Sequence, residues 1–181
     1  YHQMCRLTKN KVLIFGGENY KGYALDDTWI FNFTDTSWTK IETEKSPLAR
    51  YQSHLSQLRE NEALLFGGVD KNMYHRYDTW IFDGEENEWN QIAFDPWVDK
   101  RPHERGNGMM TSITGENKVI LYGGWVFHLL NDTWIFDADI SKWRELNPLN
   151  KPDSISGGAL CGITGNNFLL FGGKNYKPYL T

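Results

Sequence analysis

Cysteine is scarce: two residues in 181, too few for a disulfide framework. Each stands ten residues ahead of an aromatic that opens a recurring aromatic-glycine-glycine unit, Cys5 before Phe15 and Cys161 before Phe171; Ser56 and Ser112 fill that slot in the copies between. Equivalent positions of separate repeats lie too far apart to bridge, so two reduced thiols and a cytoplasmic setting are expected. The sequons Asn32-Phe33-Thr34 and Asn131-Asp132-Thr133 keep secretion as the alternative. Charge of one sign is also lacking. With 19 basic and 23 acidic residues intermixed and a net charge of −4, there is no basic field for a phosphate backbone or an anionic lipid surface. Nucleic acid and membrane are thereby excluded as partners. The longest apolar runs hold about five or six residues, against about 20 for a membrane-spanning helix, and the first residues show no charged-then-apolar signal pattern. The five histidines form no His-x-x-x-His pair and have no cysteine neighbour, so no metal site and no cofactor are expected. A Gly-x-Ser-x-Gly nucleophile elbow is missing too, and no catalytic residue is assigned.

What is present is a unit written four times. Phe15-Gly16-Gly17, Phe66-Gly67-Gly68, Tyr122-Gly123-Gly124 and Phe171-Gly172-Gly173 each close a short apolar run. The first three are followed by Asp27-Thr28-Trp29-Ile30-Phe31, Asp78-Thr79-Trp80-Ile81-Phe82 and Asp132-Thr133-Trp134-Ile135-Phe136, and then by Trp38, Trp89 and Trp143. The period is roughly 50 residues. The runs before the glycines are apolar without alternation, so these second strands are expected to be buried on both faces. The glycine pairs supply positive φ and room for close approach; nothing behind them opens a helix that could hold a phosphate. The Asp-Thr-Trp-Ile-Phe segment reads as an interior third strand. The strand after it, one tryptophan among polar residues, reads as a wet outer edge. First strands are expected over residues 51–58, 109–114 and 159–164, where small residues such as Gly106, Gly108, Gly157 and Gly158 allow convergence on an axis.

These motifs identify the chain as a member of the kelch-repeat family over essentially its whole length. It resembles the subtype with an Asp-x-Trp third strand, as in galactose oxidase, more than the repeats of BTB-domain adaptors. An Arg with a nearby His ahead of the inner strand occurs as Arg50 and His54, whereas the third copy keeps Arg105 but has Met109 and Met110. The resemblance implies an all-β fold: a kelch-type β-propeller of about three and a half four-stranded blades, over residues 1–45, 46–94, 95–147 and the inner half of a fourth at 148–181. Kelch propellers close with six or seven blades, so an open arc is expected, a fragment of a longer protein that self-associates through its open edge.

In an up-and-down blade, the loops after the second and fourth strands emerge at one end. The second-to-third loops, expected at 18–26, 69–77, 125–131 and from 174 onward, hold Tyr20, Tyr23, Tyr74, Tyr77, Tyr176 and Tyr179, six of the nine tyrosines. His75, Arg76, Trp125, Phe127 and His128 lie in the same loops, and the stretch 93–104 between blades adds Trp97, Lys100, Arg101 and His103. Aromatic and cationic side chains gathered on loops suit a protein recognition surface. Tyr23, Tyr74, His75, Arg76, Trp97, Arg101, Trp125 and His128 are the candidate partner-binding residues. The recurrence of Asn19-Tyr20-Lys21 as Asn175-Tyr176-Lys177 favours a structural role for that tripeptide. The expected function is a non-catalytic interaction module for a protein or peptide partner. The alternative is part of a galactose oxidase-like or other carbohydrate-active kelch enzyme whose ligands lie in missing blades.

Overall fold

The computed structural model describes residues 2–163 and 167–175, and every regular element among them is a β-strand. The first sheet joins β1 (Gln3–Arg6), β2 (Lys11–Glu18), β3 (Ala24–Asn32) and β4 (Ser37–Ile41) in that order, all antiparallel. The second repeat runs through β5 (Arg50–Tyr51), β6 (His54–Arg59), β7 (Glu62–Phe66), β8 (Val69–Asp70), β9 (Thr79–Asp83) and β10 (Glu88–Gln91). Its four-stranded sheet is β6-β7-β9-β10, and β5 pairs with β8 as a two-residue ladder beside it. The third sheet comprises β11 (Met109–Ser112), β12 (Lys118–Trp125), β13 (Leu129–Asp137) and β14 (Lys142–Leu146); β15 (Ser156–Gly162) and β16 (Phe168–Lys174) pair as the inner half of a fourth. The first strands β1, β6, β11 and β15 contact one another from sheet to sheet, so they surround the axis. The result is an open propeller arc.

Burial on both faces of the second strands follows from sheet stacking. Leu13 and Phe15 face the second blade and join Leu55, Ala63, Leu65, Trp80 and Phe82 in one core. Leu64 and Phe66 leave the other face of β7 to pack with Val119, Leu121, Trp134 and Phe136 of the third blade. The rim tryptophans of the second and third blades tie each blade to the one before. Trp89 packs edge-on against Phe15 at 5.1 Å and donates from Nε1 to the Thr28 hydroxyl at 3.0 Å; Trp143 repeats this with Phe66 at 5.1 Å and Thr79 at 2.9 Å. The threonine of the Asp-Thr-Trp motif is therefore the acceptor for the next blade's tryptophan. Where no blade follows among the described residues, the same positions lie open. Phe171 is 76% exposed and Leu169 52%, against 0% for Phe15 and Phe66, and Trp38 at the other end is 52% exposed.

The first glycine of each pair adopts positive φ, and Gly16, Gly67 and Gly123 touch the chain entering the next blade. A Cβ on Gly67 (φ 64°) would stand 2.7 Å from the Arg105 carbonyl oxygen, and one on Gly123 (φ 61°) 2.6 Å from that of Ile155. Only glycine allows this approach.

Three expectations need correction. The first strands are β6, β11 and β15 rather than 51–58, 109–114 and 159–164: Gln52, at φ 55°, breaks the strand after Tyr51, and Thr164 lies outside the described residues. Thr111, not Ser112, fills the small-residue slot of the third copy, because Thr111 pairs with Ile120 as Ser56 pairs with Leu64. The second-to-third loops are mostly shorter than expected, since pairing resumes past the glycine bulge at Glu18↔Ala24 and Trp125↔Leu129. Only residues 19–23 and 126–128 remain as turns there. In the second copy, 71–78 stays a longer loop.

Candidate functional site

The most conspicuous charges of the repeat are spent on structure. Arg50 is fully buried and forms a fork with Asp78, Nη1 to Oδ1 at 2.7 Å and Nη2 to Oδ2 at 2.8 Å. It also donates to the Gly67 and Leu48 carbonyls, while Asp78 accepts the Trp80 indole N–H at 2.7 Å. Arg105, Asp132, Gly123, His103 and Trp134 reproduce the arrangement in the third blade. Burial alone would raise the carboxyl pKa of Asp78 and Asp132, but the paired arginine outweighs it and holds both below the ordinary range. His54 is buried between blades: Nδ1 bonds the Phe66 carbonyl at 2.8 Å and Nε2 accepts the Gly108 N–H at 2.6 Å. Nδ1 is thereby the protonated nitrogen, and desolvation pushes the pKa down to about 4. None of these groups is available to a ligand.

The loop end of the second and third blades is different. β5, the loop after β8, and the turn between β12 and β13 converge on a cleft of about 670 Å³. Tyr51, Met73, Tyr74, His75, Trp125 and Phe127 supply its aromatic and thioether walls; Gln52, Glu104, Asn107 and Lys174 supply its polar groups. Local hydrogen bonds set the walls. The Asp70 carboxylate accepts the N–H of Asn72 and of Tyr74, closing a tight turn that holds Met73 at φ 65°. Gly106 and Trp125 exchange both backbone hydrogen bonds, fixing the far wall against the chain that enters the third blade. The His75 ring lies 5.0 Å from that of Trp125 and 6.3 Å from that of Phe127. Burial lowers its pKa and the Glu104 charge opposes the shift. His75 Nε2 is buried with no hydrogen-bond partner among the described residues. Phe127, Met73 and Tyr74 are all more than half exposed, an apolar patch that folding alone does not require.

The eight candidates separate. Tyr74, His75 and Trp125 meet in the cleft. Arg76 borders the same loop, but its guanidinium reaches back to Asp70 at 3.5 Å. Arg101 stacks between the rings of Tyr77 and Phe94, 3.7 Å from each, at a second hollow of about 650 Å³ beside β10 and β14. Trp97 is 94% exposed on the turn 95–99 and lines neither hollow. Tyr23 stands at the end of the turn closed by Asn19, whose side chain accepts the N–H of Lys21 and of Tyr23; that is the position Tyr74 holds after Asp70. His128 is exposed and lies outside the cleft's lining. Tyr176, Lys177 and Tyr179 lie outside the described residues. Absent from the candidate set are Tyr51, Met73, Glu104, Asn107 and Lys174. Tyr51 sits where the sequence reads as inner strand, and Glu104 is an unremarkable acid beside Arg105. Among the described residues, no group of three His, Cys, Asp or Glu side chains could hold a metal ion.

Comparison with known proteins agrees with the fold. The chain is 28% identical over 95% of its length to an F-box/kelch-repeat protein, At1g51550, of Arabidopsis thaliana, covering 42% of that protein. It is 22% identical over 91% of its length to N-acetylneuraminate epimerase of Escherichia coli O9:H4 (strain HS), covering 53% of that enzyme. The solved structure of YjhT superposes with a TM-score of 0.72 at 17% identity, across 93% of this chain and 57% of that one. The chain thus spans 42%, 53% and 57% of the lengths of these three proteins, and as little as 26% of other relatives. The family model described as the KLHDC2/KLHL20/DRC7 Kelch-repeats domain matches residues 1–173, and the chain belongs to this kelch-repeat family.

Proposed function

We propose that the chain is a non-catalytic protein-binding module that takes a peptide segment of a partner in the cleft between the loop ends of its second and third blades. One observation carries the reading: Tyr51, Met73, Tyr74, His75, Trp125 and Phe127, drawn from two blades, converge on one open hollow. Aromatic side chains and methionine are the residues enriched where proteins meet. A propeller also leaves its loops free of fold-bearing work, because the glycine doublets, the arginine–aspartate forks and the rim tryptophans hold the blades. Similarity to an F-box/kelch-repeat protein supports a role in assembly. The two free cysteines support a reducing, cytoplasmic setting, and the apolar face of β16 supports self-association when nothing else covers it. The test is affinity capture on the full-length protein: Trp125→Ala and His75→Ala are expected to lose the partner that the unaltered protein retains, while Trp97→Ala keeps it. Equal capture by all three variants would refute the choice of cleft.

A second reading, an enzyme acting on a carbohydrate, is favoured by the similarity to N-acetylneuraminate epimerase over 91% of the chain. Anomeric or epimeric exchange of N-acetylneuraminate followed by NMR on the full-length protein decides it. Turnover abolished by His75→Ala would replace the binding-module reading.

A further inference from the structure

The cleft has a charge character that its aromatic walls alone do not explain. Glu104 is half-buried at its edge and forms no ion pair among the described residues. It stands close enough to His75 for its charge to act on the imidazole. The His75 ring contributes a wall, 5.0 Å from that of Trp125, while its Nε2 is sealed from solvent. The carboxylates of Glu18 and of Asp70, the latter paired with Arg76, also act on Tyr51 of the opposite wall. The cation among the described lining residues, Lys174, is exposed at the end of β16, where solvent screens it more than it screens the half-buried Glu104. A half-buried carboxylate without a cation partner among the described residues, set among π faces, suits a flat cation.

We infer that the cleft recognises a basic side chain of the partner peptide, arginine before lysine, with the guanidinium stacked among Tyr51, Trp125 and Phe127 and hydrogen-bonded to Glu104. A guanidinium offers five N–H donors in one plane and a weakly hydrated face, so it can bond the Glu104 carboxylate while lying on a ring. An ammonium meets the charge but not the plane, a thioether fills the volume without the charge, and a carboxylate is repelled. Arg101, held 3.7 Å from the rings of Tyr77 and Phe94, shows the same stacking elsewhere in the chain.

This inference rests on the cleft being the recognition site, and the experiment separates the two. Fluorescein-labelled peptides Ser-Gly-Ser-X-Ser-Gly-Ser, with X as Arg, Lys, Met or Glu, are titrated with the full-length protein by fluorescence anisotropy. The arginine peptide is expected to bind tightest, the methionine peptide about tenfold more weakly and the glutamate peptide weakest of all. Glu104→Gln, which preserves shape, is expected to reduce the arginine-over-methionine preference to about threefold or less and leave the methionine peptide within about twofold. The ranking on the unaltered protein needs no variant to fold. Methionine or glutamate peptides binding as well as the arginine peptide, no binding of the arginine peptide, or a preference untouched by Glu104→Gln would each overturn the inference. If Trp125→Ala still abolishes partner capture while arginine and methionine peptides bind alike, the charge preference falls and the interaction module stands.

Discussion

Neutralising Asp78 in the second blade should cost far more than its place at the end of a loop suggests. Arg50 has no exposed side-chain surface and Asp78 only 9%, so Asp78→Asn leaves an arginine charge buried without its counter-ion, and the indole N–H of Trp80 with a weaker acceptor. Removing one partner of a buried pair costs about 3–5 kcal/mol, mostly the uncompensated charge. Arg50→Met should cost a similar amount, because it strips the carbonyls of Leu48 and Gly67 of their donor and strands the Asp78 carboxylate. In the double variant neither charge remains to be stranded, so its cost should fall about 2–3 kcal/mol short of the sum of the singles. Urea unfolding followed by tryptophan emission reads all four proteins, with Trp80 reporting from the pair itself. The sign with pH follows from the lowered carboxyl pKa of Asp78: the contribution is complete above the ordinary aspartate value of 3.8 and is lost as pH falls through the lowered one. Single-variant costs that add within about 0.5 kcal/mol would refute the reasoning.

His54 is neutral in the fold and ordinary when unfolded, so stability should be full above pH 6.5, decline as pH falls toward about 4 and level off below it. The total loss should be on the order of 3 kcal/mol, and His54→Gln should remove that step from the melting temperature against pH. Gly67→Ala should cost about 2–4 kcal/mol, combining positive φ with the 2.7 Å approach of the Arg105 carbonyl; Gly115→Ala, where φ is also positive but nothing lies within 4 Å, should cost about 1 kcal/mol in the same unfolding assay. Trp89→Phe keeps much of the packing on Phe15 but leaves the buried Thr28 hydroxyl without its indole donor, and should cost about 1–3 kcal/mol in that assay.

The repeat architecture was legible because its marks are local and obligatory. A glycine doublet after an apolar run, Asp-Thr-Trp, and a following tryptophan each have one structural use, and the Thr28–Trp89 and Asp78–Trp80 contacts show what the uses are. Strand limits were less legible, since pairing beyond the doublet depends on a bulge that the bare sequence does not announce, and Gln52 breaks its strand by adopting an unusual φ rather than by being glycine or proline. The cleft was half legible. Tyr74, His75 and Trp125 stand out as aromatic loop residues, but Tyr51 and Glu104 look like strand and linker. They become site residues only because β5 folds back on β8 and the chain into the third blade passes beside Trp125. Arg76 and Arg101 show the converse, since cations that look free in the sequence are engaged by Asp70 and by two rings.

Hydroxyl-radical footprinting of the full-length protein, alone and with its captured partner, bears most directly on where recognition occurs, because Met73, Tyr74, Trp125 and Phe127 are reactive and substantially exposed. Protection of these four, with Trp97 still oxidised at its free rate, is the predicted result. Protection confined to Trp97 or to the rim strands β4, β10 and β14, with the cleft as reactive as before, would contradict it.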